Sequence, residues 1–147
     1  MNLLEATVPP AEETPPGFAF SEMSASERTG DELIGASLYE FEPGNQLWPY
    51  HWQMGEEECC IVVTGAPTLR TPEGERVLQP WDLAWFPRGP AGTHGLRNDT
   101  EEPARVVFFS TVSDPELAVY PDSGKVGVIA GHTNPDIETI RGWVEPK

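Results

Sequence analysis

Cysteine is nearly absent from this chain of 147 residues, and the two that occur, Cys59 and Cys60, are neighbours. Successive side chains on a strand point to opposite faces, so this pair is badly placed to bond to itself. A disulfide framework is excluded as the source of stability. Long apolar runs are also lacking. No segment approaches the ~20 apolar residues of a membrane span, and Met1-Asn2-Leu3-Leu4-Glu5 carries neither a basic nor an apolar stretch. The expectation is a soluble, cytoplasmic protein. Basic residues are scarce: 9 Lys plus Arg, only two of them Lys, face 24 Asp plus Glu, for a formal net charge of −15. Phosphate backbones and anionic lipid surfaces repel such a chain, so neither nucleic acid nor membrane is an expected partner. A Lys-poor acidic surface would also suit a salty cytoplasm, through solubility rather than through fold. Glycine-rich phosphate loops, a Gly-x-Ser-x-Gly elbow and Cys-x-x-Cys pairs are all missing.

What is abundant is turn chemistry. Fourteen Gly and 16 Pro make 30 of 147 residues, which favours short elements and argues against a helical bundle. The length suits one domain with a single core. Two Pro-Pro pairs, Pro9-Pro10 and Pro15-Pro16, mark residues 1–20 as an extended arm. From Leu33 onward the pattern reads as strands: Leu33 to Phe41, Tyr50 to Gln53, Glu58 to Thr64, Thr68 to Thr71, Glu75 to Leu78, Leu83 to Phe86, Gly95 to Asn98 and Arg105 to Val112. Pro72-Glu73-Gly74 supplies a hairpin turn. Only Ile137 to Trp143 shows a weak helical period. Strands at this spacing predict a sandwich or small barrel.

The three histidines are His51, His94 and His132. His51 and Gln53 alternate, so both face one side of a strand. Glu58 is expected on the neighbouring strand after a turn at Gly55, and His94 comes from a distant strand that a barrel would bring near. Imidazole with carboxylate suits Mn, Fe, Co, Ni, Cu or Zn. Each residue also has a plain structural explanation. A histidine can be a hydrogen-bonded core residue, Glu58 ends an acidic run with Glu56 and Glu57 that suits solvent, and Gln53 can be a wall residue. Cys60 shares the parity of Glu58 and suits a buried, inert thiol. Trp48, Tyr50, Trp52, Trp85 and Phe86 suit core or subunit interface. His132 is expected at the surface.

Two spacings carry a resemblance. His51-x-Gln53, then Glu58 after four residues and Gly65 after six more, follow one motif, with Gly44 one place early as its opening glycine. Pro87-x-Gly89, His94 and Asn98 follow a second, with two extra residues in the loop and Trp81 in place of its first glycine. In this order, across about 33 to 112, they resemble the small single-domain cupins, the double-stranded β-helix family. The resemblance implies an all-β, jelly-roll-like small barrel of six to eight strands over 21–115. The Pro-rich arm of 1–20 precedes it, and a C-terminal extension of 116–147 packs on or near it.

The resemblance further implies His51, Glu58 and His94 as ligands of a divalent Fe, Mn, Ni, Cu or Zn ion. Gln53, where the motif has a second histidine, would be a weak fourth ligand. Such a protein would act on a small organic molecule, by dioxygenase-, isomerase- or decarboxylase-like chemistry, and would form a homodimer. The alternative is a non-catalytic cupin that binds a small ligand and has lost a complete metal site. Neither catalytic nor substrate-binding residues stand out.

Overall fold

A computed structural model describes residues 2–12, 14–24, 33–130 and 140–144. Among them the chain forms β1 (Ser21–Ser24), β2 (Ile34–Phe41), β3 (Gln46–Gln53), β4 (Glu58–Thr64), β5 (Thr68–Thr71), β6 (Gly74–Val77) and β7 (Leu83–Phe86). β8 (His94–Arg97), β9 (Ala104–Thr111), β10 (Glu116–Tyr120), β11 (Lys125–Ala130) and β12 (Ile140–Val144) follow. A single 3-10 turn, Pro90–Gly92, precedes β8. The architecture is all-β, as the turn-rich composition requires. No helix among the described residues is long and apolar enough to cross a membrane.

Two antiparallel sheets face each other. One runs β1-β2-β9-β4-β7 and the other β12-β11-β10-β3-β8-β5-β6. The chain changes sheet at β2–β3, β3–β4, β4–β5, β6–β7, β7–β8, β8–β9 and β9–β10, so both inner faces are built from the whole sequence. Strand alternation turns Phe41, Leu47, Cys60, Val62, Leu69, Leu96, Val106 and Phe108 into one buried core between the sheets. A second cluster, Met23, Leu38, Val63 and Val107, lies on the outer face of the five-stranded sheet, where Leu3, Ala6 and Val8 cover it. The N-terminal chain is held there by more than apolar contact. Glu22 donates its backbone N–H to the Pro9 carbonyl at 2.9 Å, and Arg105 Nη1 donates to the carbonyl of Leu3 at 2.7 Å.

Gly65 closes β4 at φ +79°, and a Cβ there would lie 2.7 Å from the Ala104 backbone. Both constraints select glycine. Trp81 shows the opposite situation: it adopts φ +73° with a side chain and without burial. The glycine that the second motif has at this place matches that backbone requirement.

Several expectations need correction. Glu58 does not lie on a strand neighbouring that of His51. β3 pairs with β8 and β10, whereas β4 pairs with β7 and β9 in the opposite sheet. A turn at Gly55 is compatible with either a hairpin or a crossover, and parity does not separate them. β3 begins at Gln46, four residues before the expected start, because the strand continues through a bulge at Trp48-Pro49. Ile140–Val144, within the weakly helical stretch, is a strand paired with β11; β11 supplies a full antiparallel ladder that a short, weakly periodic segment cannot match on its own. β1, β10 and β11 lie outside the strands expected from the sequence. Residues 137–139 and His132 fall outside the described residues.

Candidate metal centre

The bulge in β3 sets the site. It lets Leu47 pair with Leu96 and still brings His51 opposite His94 in the β3–β8 ladder. The two imidazoles face inward with ring centroids 4.8 Å apart. Glu58 opens β4 and projects across from the other sheet, its Oε2 3.5 Å from His94 Nε2. One ligand-capable atom from each of His51, Glu58 and His94 lies within 4.8 Å of the others.

Both histidines are oriented the same way. His51 Nδ1 lies 2.7 Å from the Pro49 carbonyl and His94 Nδ1 lies 2.9 Å from that of Gly92. A carbonyl only accepts, so each Nδ1 carries the hydrogen and each Nε2 presents its lone pair to the cavity. Ligand histidines are commonly fixed by such a bond. Gly92 has no alternative residue type: a Cβ would lie 1.8 Å from the Pro87 carbonyl oxygen. Phe86 stacks on His94 at 3.8 Å and Tyr120 on His51 at 5.4 Å, walling the rings with apolar surface.

That burial decides the charges. It pushes His51 down to about 4 and His94 down to about 3, the latter helped by the neighbouring His51. Burial likewise pushes the Glu58 carboxyl up to about 8, with Glu56 and Glu116 adding to the rise. At neutral pH the His94–Glu58 contact is therefore between a neutral imidazole and a protonated carboxyl, not an ion pair. Two buried oxygens, Glu58 Oε2 and Gln53 Oε1, have no hydrogen-bond partner. Buried acceptors without partners are costly. Two lone-pair imidazoles, a carboxyl and these orphan oxygens fit a divalent cation: it would compensate the desolvated carboxylate and occupy the acceptors.

His51, Gln53, Glu58 and His94 all line one cavity of about 210 Å³. Gln53 acts on the Glu58 carboxyl in the direction opposite to burial, favouring its charged form. Cys60 is fully buried in the core and burial holds its thiol up to about 12. Asn98 ends the second motif but does not reach the cavity. Its Nδ2 donates to the carbonyls of Phe41 and Glu102, and its Oδ1 accepts from Thr100. It joins the β2–β3 turn to the β8–β9 loop.

The aromatic residues divide. Phe86 is core and Trp85 is exposed, but Trp48 and Tyr50 are cavity walls. A larger cleft of about 820 Å³ opens outward, lined by Trp48, Tyr50, Arg70, Arg97, Lys125 and Trp143 among others. It shares Trp48, Leu96, Ala118, Tyr120 and Ile129 with the inner cavity, so the two are contiguous. Its arginines are engaged: Arg70 lies over the Tyr50 ring and bonds Asp122, and Arg97 bonds Glu75 and Asp99. Three wall residues of the inner cavity, Glu22, Tyr39 and Tyr120, escape the motif spacings. Tyr39 shows an inward parity with Phe41 on β2. Nothing in Ser21-Glu22-Met23-Ser24 alternates clearly enough to mark β1.

Comparison with known proteins agrees with this architecture. The family model of the cupin domain matches residues 37–110, which is 74 of the 147 residues. No curated protein matches the chain. Among solved structures, a sugar phosphate isomerase of the cupin superfamily from Silicibacter pomeroyi aligns with a TM-score of 0.81 at 22% identity, covering 99% of this chain and 91% of its own. A putative sugar phosphate isomerase from Acidithiobacillus ferrooxidans aligns with a TM-score of 0.81 at 22% identity, covering 97% of this chain and 87% of its own. The polyketide cyclase RemF from Streptomyces resistomycificus aligns with a TM-score of 0.60 at 17% identity, covering 77% of this chain and 78% of its own.

Proposed function

The chain belongs to the cupin domain family, and from that premise we propose that it binds one divalent first-row metal through His51, Glu58 and His94 and isomerises a small polyhydroxylated carbonyl compound. The observation that carries the metal is the convergence of three ligand-capable atoms within 4.8 Å, with both imidazoles held in the tautomer that presents Nε2. When bound, the ion supplies Lewis acidity toward a substrate carbonyl or hydroxyl. The residues supply the rest. Pro49 and Gly92 fix the imidazoles, Gln53 favours the charged form of Glu58, and Phe86 and Tyr120 exclude water from the rings.

The reaction class rests on two likenesses that cover nearly the whole chain, one to a protein described as a sugar phosphate isomerase and one to a protein described as a putative one. The volumes are compatible with it. The inner cavity of about 210 Å³ accepts a carbonyl–hydroxyl pair beside an ion, and the contiguous outer cleft accepts the remainder of the molecule. Metal analysis of untagged protein, purified without chelator, tests the first half. One equivalent of a first-row metal per chain is expected. No metal after supplementation with Zn, Mn, Fe, Ni and Cu would leave a non-catalytic binding cupin as the correct description. Conversion between ketose and aldose phosphates by the metal-loaded protein tests the second half.

A further inference from the structure

Isomerisation needs a group that takes a proton from carbon, and the ligand set cannot provide it. The titratable residues lining the inner cavity are Glu22, Tyr39, His51, Glu58, His94 and Tyr120. Three of them are the proposed ligands, whose lone pairs would be occupied. Burial raises both phenols, Tyr120 to about 12, so they stay protonated and cannot take a proton from carbon. The remaining carboxylate is Glu22.

Its placement is specific. Glu22 on β1 is the register partner of Tyr39 on β2. Tyr39 Oη donates to Glu22 Oε1 at 2.9 Å. A carboxylate only accepts and the phenol has one hydrogen, so that hydrogen is directed to Glu22. The Tyr39 ring is in turn fixed between Phe20 at 5.8 Å and Phe108 at 5.7 Å. An aromatic clamp and a one-way hydrogen bond therefore hold a carboxylate in the wall of the cavity that contains the candidate ligands.

We propose that Glu22 is the catalytic base of this cavity and that Tyr39 is its positioning residue; this rests on the isomerase reading above. The C–H bond on the hydroxyl-bearing carbon breaks and an O–H bond forms on Glu22. The freed electron pair enters a carbon–carbon double bond while the carbonyl pair moves onto its oxygen. The hydroxyl proton passes to that oxygen, and Glu22 returns its proton to the former carbonyl carbon. No oxidant or reductant is consumed.

The test uses zinc-loaded full-length protein in D2O with D-fructose 6-phosphate and D-ribulose 5-phosphate as probes, following loss of a C1 hydrogen by proton NMR. Wild type is expected to exchange at least one probe, and Glu22→Gln to do so at least ~100-fold more slowly, the usual scale of a lost general base. Zinc affinity by calorimetry should stay within about 2-fold. Binding of 6-phospho-D-gluconate should tighten in Glu22→Gln, because its carboxylate no longer meets another; a merely structural glutamate would not produce that opposite sign. Tyr39→Phe should slow exchange less than Glu22→Gln and move the acid limb of its pH profile upward, since the carboxylate loses a donor. Exchange in Glu22→Gln equal to wild type overturns the base role alone. Zinc binding by a wild type that exchanges neither probe overturns the isomerase reading and the base role with it. Weaker zinc binding in Glu22→Gln would make Glu22 a ligand and likewise overturn the proposal.

Discussion

His51 and His94 are direct register partners on adjacent antiparallel strands, and each is tethered through Nδ1 to the carbonyl of the residue two places before it. The same local device therefore fixes both rings in one tautomer, with Nε2 directed to a common centre. Neither ring depends on the other for its orientation. His51→Ala and His94→Ala should each leave two of three ligands and lower zinc affinity by at least ~100-fold, an effect beyond the usual range for residues outside the ligand set. Thermal melts without metal should remain cooperative for both variants. Isotherms at the wild-type affinity would remove these residues from the ligand set.

The apo protein should lose stability as pH rises from 6.5 to 8. Glu58 sits at about 8 in the folded chain against an ordinary 4.5. The folded state then binds the proton more tightly than the unfolded state, so this stabilisation is present at low pH and disappears as pH climbs through 8. His51 and His94 act in the other direction, because their lowered values cost stability only as pH falls below about 6.5. Above that point Glu58 and Glu56, which burial raises to about 7, both contribute, each by at most about 1.4 kcal/mol per pH unit. Denaturant titrations in EDTA should show the decline in wild type and a flatter profile in Glu58→Gln. Equal slopes would show that Glu58 is not held protonated.

Trp81 should reverse the usual order of alanine and glycine. It is 73% exposed at φ +73°, so removing the indole costs little packing while any Cβ keeps the left-handed penalty. That penalty is about 1–2 kcal/mol, larger than the ~0.5–1 kcal/mol by which glycine normally trails alanine. Trp81→Gly should exceed Trp81→Ala in unfolding free energy by about 0.5–1 kcal/mol. A more stable alanine variant would mean that the backbone relaxes away from this conformation.

The barrel and the residues that converge in its cavity, His51, Glu58 and His94, are legible in the sequence because both rest on local chemistry. Turn residues bound the strands, and the spacing of His51, Glu58, His94 and their glycines repeats a known pattern. Sheet order is not local. Parity puts a residue on one of two faces but does not say which strand lies beside it, so the crossover between Gln53 and Glu58 was open to a hairpin reading. The same limit hides Tyr120 and Glu22, whose roles come from long-range pairing of β10 with β3 and of β1 with β2. Glu22 in particular sits in a four-residue strand with little alternation, and only β2 beside it gives its side chain a direction.

We also propose a homodimer built on the outer face of the five-stranded sheet. Its N-terminal half is covered by Leu3, Ala6 and Val8, whereas on its other half, among the described residues, Leu83, Trp85 and Phe109 stay exposed. There Trp85, Cys59 and Phe109 form one cross-strand row, with Leu83 beside Ile61 in the next. β7 is an edge strand of this sheet. Edge strands with apolar neighbours need covering, and a second copy offers an identical uncharged row, which two chains of net charge −15 require for approach. Light scattering should give about twice the 16.2 kDa chain mass, and Trp85→Glu should return the single-chain value. A wild-type particle of one chain mass would exclude this arrangement.

Gln53 separates a shifted metal site from a lost one. It favours the charged form of Glu58, yet its Oε1 is buried without a partner in the same cavity as both histidines. Strand alternation sends its side chain to the face of His51. If the cavity keeps the geometry of a four-ligand site, Gln53→His places an imidazole where a weak amide donor stands. Imidazole is the better ligand for Zn, Cu, Ni or Fe, so zinc affinity should rise by at least ~10-fold, the lower end of effects seen for residues outside the ligand set. The substitution also removes the amide that favours the charged form of Glu58, which by itself would weaken binding. The sign of the change is therefore informative. A gain means that position 53 reaches the metal, with the new ligand outweighing the lost support. A loss, matched by Gln53→Ala, means that Gln53 acts only through Glu58 and that three residues form the complete protein ligand set. Calorimetric titration of the three proteins with zinc at one pH distinguishes these outcomes, and equal affinities in all three would exclude any role for Gln53 at the metal.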